Sequence, residues 1–242
     1  MKKRRIFRNL NDKEFAWVLY DVGNSAYTML ACALIPIWFK AMAIGTKPGQ
    51  LTSDRATAYY SMAIAVITIV AALLGPVCGA ISDYKGMKKI FFTSTVAVGV
   101  CGCILNGFAC QWIVFLLLFA VTKIFYNMSL MFYDSMLNDI TTEERMDEVS
   151  SYGYAWGYLG SCIPFLIALV AYVLGPDMAG IISGKLSMAI GFAVTGLWWL
   201  LVTVPLIKNY KQINYVEKKE HAVGSAFRRI FETIRFIATK DK

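Results

Sequence analysis

Between residues 15 and 207 the chain alternates long apolar stretches with short polar breaks. Six stretches stand out, at roughly 15–44, 56–82, 90–110, 112–137, 150–174 and 186–207. The second, third, fifth and sixth contain no Asp, Glu, Lys or Arg. Uncharged runs longer than about 18 residues exceed a buried core helix and match the width of a bilayer. Inside lipid every backbone polar group must be satisfied within the segment, so runs of this length are helices; barrel strands need only about 10 residues. The pattern therefore predicts an all-α membrane protein, a bundle of six transmembrane helices over 15–207. A basic segment, 1–14, precedes it. A polar stretch, 208–242, follows, with an amphipathic helix expected at about 225–238. There Phe227, Ile230, Phe231, Ile234 and Ile237 share one face and Arg228, Arg229 and Arg235 lie mostly on the other, as suits a membrane surface.

Composition supports this division. The 242 residues are 57% hydrophobic and only 17% charged, where a soluble domain carries about a quarter charged residues. A net charge of +8 invites a nucleic-acid reading, but its distribution points to lipid instead. With the amino terminus in the cytoplasm, six basic residues in 1–13, three in 83–89, one in 138–149 and nine from 208 onward lie inside. Only Lys40, Lys47, Arg55 and Lys185 lie outside, and Lys123 falls within a span. This is the asymmetry of the positive-inside rule, and it places both termini in the cytoplasm with no nucleic-acid partner. The first apolar stretch is too long for a signal peptide and contains Asp21 and Asn24. The six cysteines all fall within the expected spans, and the single His, His221, lies far from them, so they read as packing residues with no metal or other cofactor.

Ionisable groups at membrane depth cost about 2.5–3.5 kcal/mol on insertion scales and so mark function. Asp21, Lys123 and Asp134 are the three plainly within spans. In YDVGNSAY, Asp21, Asn24, Ser25 and Thr28 share one helical face. That stripe suits a cavity carboxylate for a cation, a proton or a substrate amine, or a structural aspartate bonded to a neighbouring helix. In the fourth span Lys123, Asn127 and Asp134 fall within about 40° of one another around the helix. Lys123 is too deep to snorkel easily, so the stripe is expected to face a cavity; the alternative is an internal ion pair. Gly153, Gly157 and Gly160 form a small-residue groove for a partner helix. In DITTEERMDEVSS, Thr141 and Glu144 have capping-box spacing for a short cytoplasmic helix.

Between the second and third spans the chain reads GPVCGAISDYKGMKK. Its Gly79-x-x-x-Asp83-x-x-Gly86-x-Lys88-Lys89 resembles the loop between the second and third helices of major facilitator superfamily transporters. Further segments, WVLYDVGNSAY (17–27), FYDSMLNDIT (132–141) and SYGYAWGYLGS (151–161), resemble the vacuole-effluxer-like branch, related to autophagy-associated vacuolar amino-acid exporters. The resemblance implies the amino-terminal half of a twelve-helix secondary transporter of a small polar solute, in a multi-pass position in a bacterial plasma membrane, with no enzymatic activity. It implies alternating access of two halves about a midplane site, with proton or sodium coupling. Asp21 and Asp134 are then the candidate coupling carboxylates, Lys123 and Asn127 the candidate solute contacts, and Asn24 a further member of the same substrate and proton pathway. Lys123 has no counterpart in the resemblance and rests on the residue argument alone.

In the loop, Gly75 and Gly79 would permit close helix approach at a gate. Gly86 belongs to the same motif, and Asp83 would meet the positive end of a helix in the other half. Lys88 and Lys89 would hold the loop near anionic headgroups or loop carboxylates. The missing half implies either a fragment or truncated product, which is the expectation, or a pair of identical halves. A non-transporting membrane scaffold built from the same half-fold is the alternative function.

Overall fold

The computed structural model describes residues 9–176 and 178–217. The expected helix at 225–238 and the basic residues before 9 lie outside the described residues. Six α-helices run α1 Asp12–Ala43, α2 Ser53–Ser82, α3 Met87–Asn106, α4 Trp112–Ile140, α5 Met146–Val173 and α6 Gly184–Asn209. All six are long and apolar enough to cross a membrane. Several begin or end a turn from the apolar boundaries, because polar caps extend them. Asn11 caps α1, accepting from the Lys13 and Glu14 N–H groups, while Glu14 returns a bond to the Asn11 N–H. At α3 the last turn ends on Asn106 and Gly107, so Cys110 sits in the α3–α4 loop and not in a span.

The connections fix the sidedness. At one end, the Ile44–Leu51 bridge closes the α1–α2 loop, and the Trp112 indole donates to the Gly49 carbonyl at 2.8 Å. At the other end, the start of α1, the loops after α2 and α4, and the segment after α6 lie together, bonded to one another. That end carries the excess of basic residues and is the one the positive-inside rule assigns to the cytoplasm.

The bundle is organised around α1, which packs on α5, α6 and α4; α3 packs on α4 and α6. Along α1 an aromatic side chain meets another ring at successive levels. Trp17 stacks on Tyr133 at 4.2 Å, Tyr20 meets Phe92 at 4.9 Å, Tyr27 lies between Tyr126 and Trp199, and Trp38 meets Phe192. Glycine makes room for the largest ring: a Cβ on Gly99 would lie 2.6 Å from Cη2 of the fully buried Trp199. By contrast α2 rests mainly on α4 and turns Met62, Ile69 and Leu73 outward. In lipid such a face carries no hydrophobic penalty.

Candidate functional site

The glycine groove of α5 is filled by α1. A Cβ on Gly153 would come within 2.9 Å of the Trp17 ring, and one on Gly157 within 3.0 Å of the Ser25 hydroxyl. Both would lie 3.2 Å from Asp21 Oδ2. The two backbones therefore approach closely enough to lay the Asp21 carboxylate against α5. Its other oxygen, Oδ1, accepts from the Asn24 amide at 3.1 Å. One turn further, Thr28 and the Tyr126 hydroxyl share a short hydrogen bond.

These groups open onto a cavity of about 450 Å³ between α1, α4 and α5, in the cytoplasmic half of the bundle. From α1 it takes Trp17, Asp21, Asn24, Ser25 and Thr28; from α4, Tyr133, Asp134 and Leu137. Ser150, Tyr154 and Tyr158 supply the α5 wall. The Trp17 indole donates to the Tyr133 carbonyl at 3.1 Å and stacks on its ring, which fixes that end of the wall. The Tyr133 hydroxyl is buried and has no hydrogen-bond partner among the described residues. Asp134 is exposed and forms no ion pair among them.

The structure thus brings Asp21, Asn24 and Asp134 to one cavity and separates Lys123 and Asn127 from it. Lys123 lies eleven residues before Asp134, about 16 Å along the helix axis. Its ammonium sits 4.4 Å from the centre of the Tyr126 ring and 5.8 Å from that of Tyr27. Lys123 therefore faces two π clouds and lies outside this cavity, and no carboxylate pairs with it among the described residues. Asn127 is half-buried on the same helix, outside the cavity lining.

The cytoplasmic loop is built more tightly than its lysine content indicates. Gly86 opens α3 at φ +78°, the left-handed region in which only glycine is unstrained. Lys88 is 5% exposed, so its ammonium reaches neither headgroups nor solvent. It lies 3.6 Å from Asp139 at the end of α4 and donates to the Ser135 carbonyl at 3.3 Å. Lys89 donates to the Tyr210 carbonyl at 3.5 Å. Asp139, which the sequence reading passed over, is the hub. It also accepts from the Tyr210 hydroxyl and from the Ile213 and Asn214 N–H groups, at 2.5, 3.2 and 2.7 Å.

Gln212 completes the strap. Its Oε1 accepts from the Gly86 N–H at 2.9 Å, and its Nε2 donates to the Ser82 carbonyl at 3.2 Å. The Asp83 carbonyl accepts from Val216 N–H at 2.8 Å, while the residue itself is exposed. Within this bundle Gly75 and Gly79 make no close approach: a Cβ at either would meet only the flexible Met131 thioether, at 3.5 and 3.9 Å.

On the neighbouring α4–α5 loop, Thr141 does not form the expected capping box. It ends α4, and its hydroxyl donates to Glu14 Oε1 at 2.7 Å, beside Arg145 at 3.1 Å. Glu14 competes successfully for that hydroxyl because it is buried and needs donors. A single 3₁₀ turn, Glu143–Arg145, leads directly into α5.

Over residues 17–237 the chain matches the family described as Major Facilitator Superfamily. It is 35% identical over 235 residues to a Bacillus subtilis (strain 168) protein named "Uncharacterized MFS-type transporter YxiO". The alignment takes in 96% of this chain and 54% of that protein, so the chain spans about half the length of the curated relative it matches. No solved structure matches.

Proposed function

The chain belongs to the major facilitator superfamily, and from that premise we propose that its six helices form one half of a secondary transporter moving a small polar solute by alternating access. The family is one of transporters and not of enzymes. The observation that carries the proposal is the cavity between α1, α4 and α5, with two membrane-depth carboxylates, Asp21 and Asp134, on facing helices. A carboxylate kept in lipid without a salt bridge is expensive unless it takes up and releases something. Asp134, open and unpaired, takes the coupling proton; Asp21, oriented by Asn24 and the α5 glycines, faces the solute. The half-site is completed by six further helices, from the rest of a longer protein or from a second copy. Asp83 is exposed at the cytoplasmic end, where that half would close, while Gly75 and Gly79 turn toward Met131 of α4. The vacuole-effluxer-like branch and a bacterial plasma membrane are the reading's finer assignments.

Proteoliposomes containing the completed twelve-helix assembly, this chain with its second half or a second copy, test it, with an imposed pH gradient and a panel of labelled small polar solutes. Wild type should accumulate at least one solute. Asp134→Asn should abolish the gradient-driven part and leave solute-for-solute exchange measurable. Unchanged pH dependence in that variant would exclude Asp134 as the coupling group. A panel with neither accumulation nor exchange in wild type refutes transport and favours the scaffold alternative.

A further inference from the structure

The cavity wall combines two kinds of group that share one preference. Asp21 and Asp134 bring negative charge, and no Lys, Arg or His is among the lining residues. Tyr154 and Tyr158 bring aromatic faces beside the buried Trp17–Tyr133 stack, and ring faces attract cations. Tyr154 and Tyr158 stand one turn apart on α5, 68% and 70% exposed, so their rings are open to a ligand and not committed to the core. The Tyr133 hydroxyl, buried and without a partner among the described residues, lies in the same wall.

We infer that the solute is a small organic cation, an ammonium or quaternary ammonium compound, held by Asp21 and enclosed by the tyrosine rings of α5. This rests on the transporter reading and names its substrate class. Three competing classes fit less well. A tightly held divalent or transition-metal ion favours three or more clustered His, Cys, Asp or Glu side chains, and no such group occurs among the described residues. An anion would meet two carboxylates without a counter-charge. A zwitterion needs a cationic group for its carboxylate, and the only membrane-depth lysine, Lys123, sits over the Tyr27 and Tyr126 rings outside the lining. A cation requires only the groups present. The cavity, at about 450 Å³, accommodates a skeleton of choline or tetraethylammonium size.

Equilibrium binding of labelled choline and labelled tetraethylammonium to the same twelve-helix assembly in lipid nanodiscs tests the assignment. At least one should bind saturably. A hundredfold excess of 3,3-dimethylbutanol, the neutral isostere of choline, or of zwitterionic glycine betaine should not displace it. Asp21→Asn should weaken binding at least tenfold. If that variant fails to fold, Tyr154→Leu should weaken it several-fold, while Tyr154→Phe, which keeps the ring, should bind as wild type. Displacement by dimethylbutanol as readily as by choline overturns the assignment, as does full binding by both Asp21→Asn and Tyr154→Leu. Absence of cation binding in protein that still exchanges another solute in proteoliposomes overturns the substrate class alone. Absence of both overturns the transporter reading as well.

Discussion

Removing either member of the Lys88–Asp139 pair should cost unequal amounts, and the inequality follows from the geometry. The two side chains are 6% and 0% exposed, with Nζ 3.6 Å from Oδ2. At an effective dielectric of about 20, their attraction is about 5 kcal/mol, most of it offset by desolvation. What distinguishes the partners is what each retains when the other is gone. In Lys88→Met, Asp139 keeps the Tyr210 hydroxyl and two backbone N–H donors, so the expected loss is about 1–2 kcal/mol. In Asp139→Ala, Lys88 is left charged and buried with one carbonyl, and three donors of the strap lose their acceptor. The expected loss is about 3–5 kcal/mol.

The double variant should cost at least 1 kcal/mol less than the sum of the single losses. Reversible unfolding in mixed SDS and dodecyl maltoside micelles reads all three. Trypsin cleavage at Lys211 gives a second readout, rising in Asp139→Ala and not in Lys88→Met. Equal single losses, or strict additivity, would refute the hub account of Asp139.

Three further outcomes follow from the same geometry. Gly99→Ala drives a methyl against the Trp199 ring, which has nowhere to move, and should lower unfolding free energy by about 1–3 kcal/mol in the same micelle titration. Glu14→Ala orphans the Asn11 N–H and the Thr141 hydroxyl; because Arg145 keeps the Asn9 carbonyl and Glu148, the loss should be about 2–3 kcal/mol, and amide exchange at the start of α1 should quicken. Burial, with the hydrogen bond to Asp139, pushes the Tyr210 hydroxyl above its ordinary value of 10. Its folded form holds the proton where the unfolded form has lost it, so its stabilisation is complete below about pH 10 and is lost as pH rises further. The thermal unfolding midpoint should therefore fall more steeply between pH 10 and 11.5 in wild type than in Tyr210→Phe.

The spans were legible because the bilayer imposes length and apolarity without regard to tertiary contacts. Asp21, Asn24 and Asp134 were legible for the same reason: a polar group at membrane depth stands out against its neighbours. Lys123 shows the limit of that reasoning. Helical periodicity put it on the stripe of Asp134, but periodicity reports angle and not height, and the two side chains open at different levels. Asp139 was illegible because it sits at a helix end among polar residues, where a carboxylate needs no explanation. Its partners come from positions 51 residues before it and up to 75 after it. Tyr154 and Tyr158 were visible in SYGYAWGYLGS, yet tyrosine near a membrane surface has an ordinary reading as an interface anchor, and only the cavity distinguishes them.

The central position of α1 has a consequence for how the protein is made. Trp17, in α1, bonds to a carbonyl 116 residues downstream, and the Val22 carbonyl accepts from an indole 176 residues downstream. Synthesis at about 5–20 residues per second separates the emergence of α1 from that of α6 by roughly ten to thirty seconds. Until α5 follows, somewhat earlier in that interval, the first helix waits in the bilayer with Asp21, Asn24 and a glycine-matched face uncovered. Its residence there depends on what shelters it, so synthesis rate and the capacity of the insertion machinery should limit yield more than the stability of the finished bundle does.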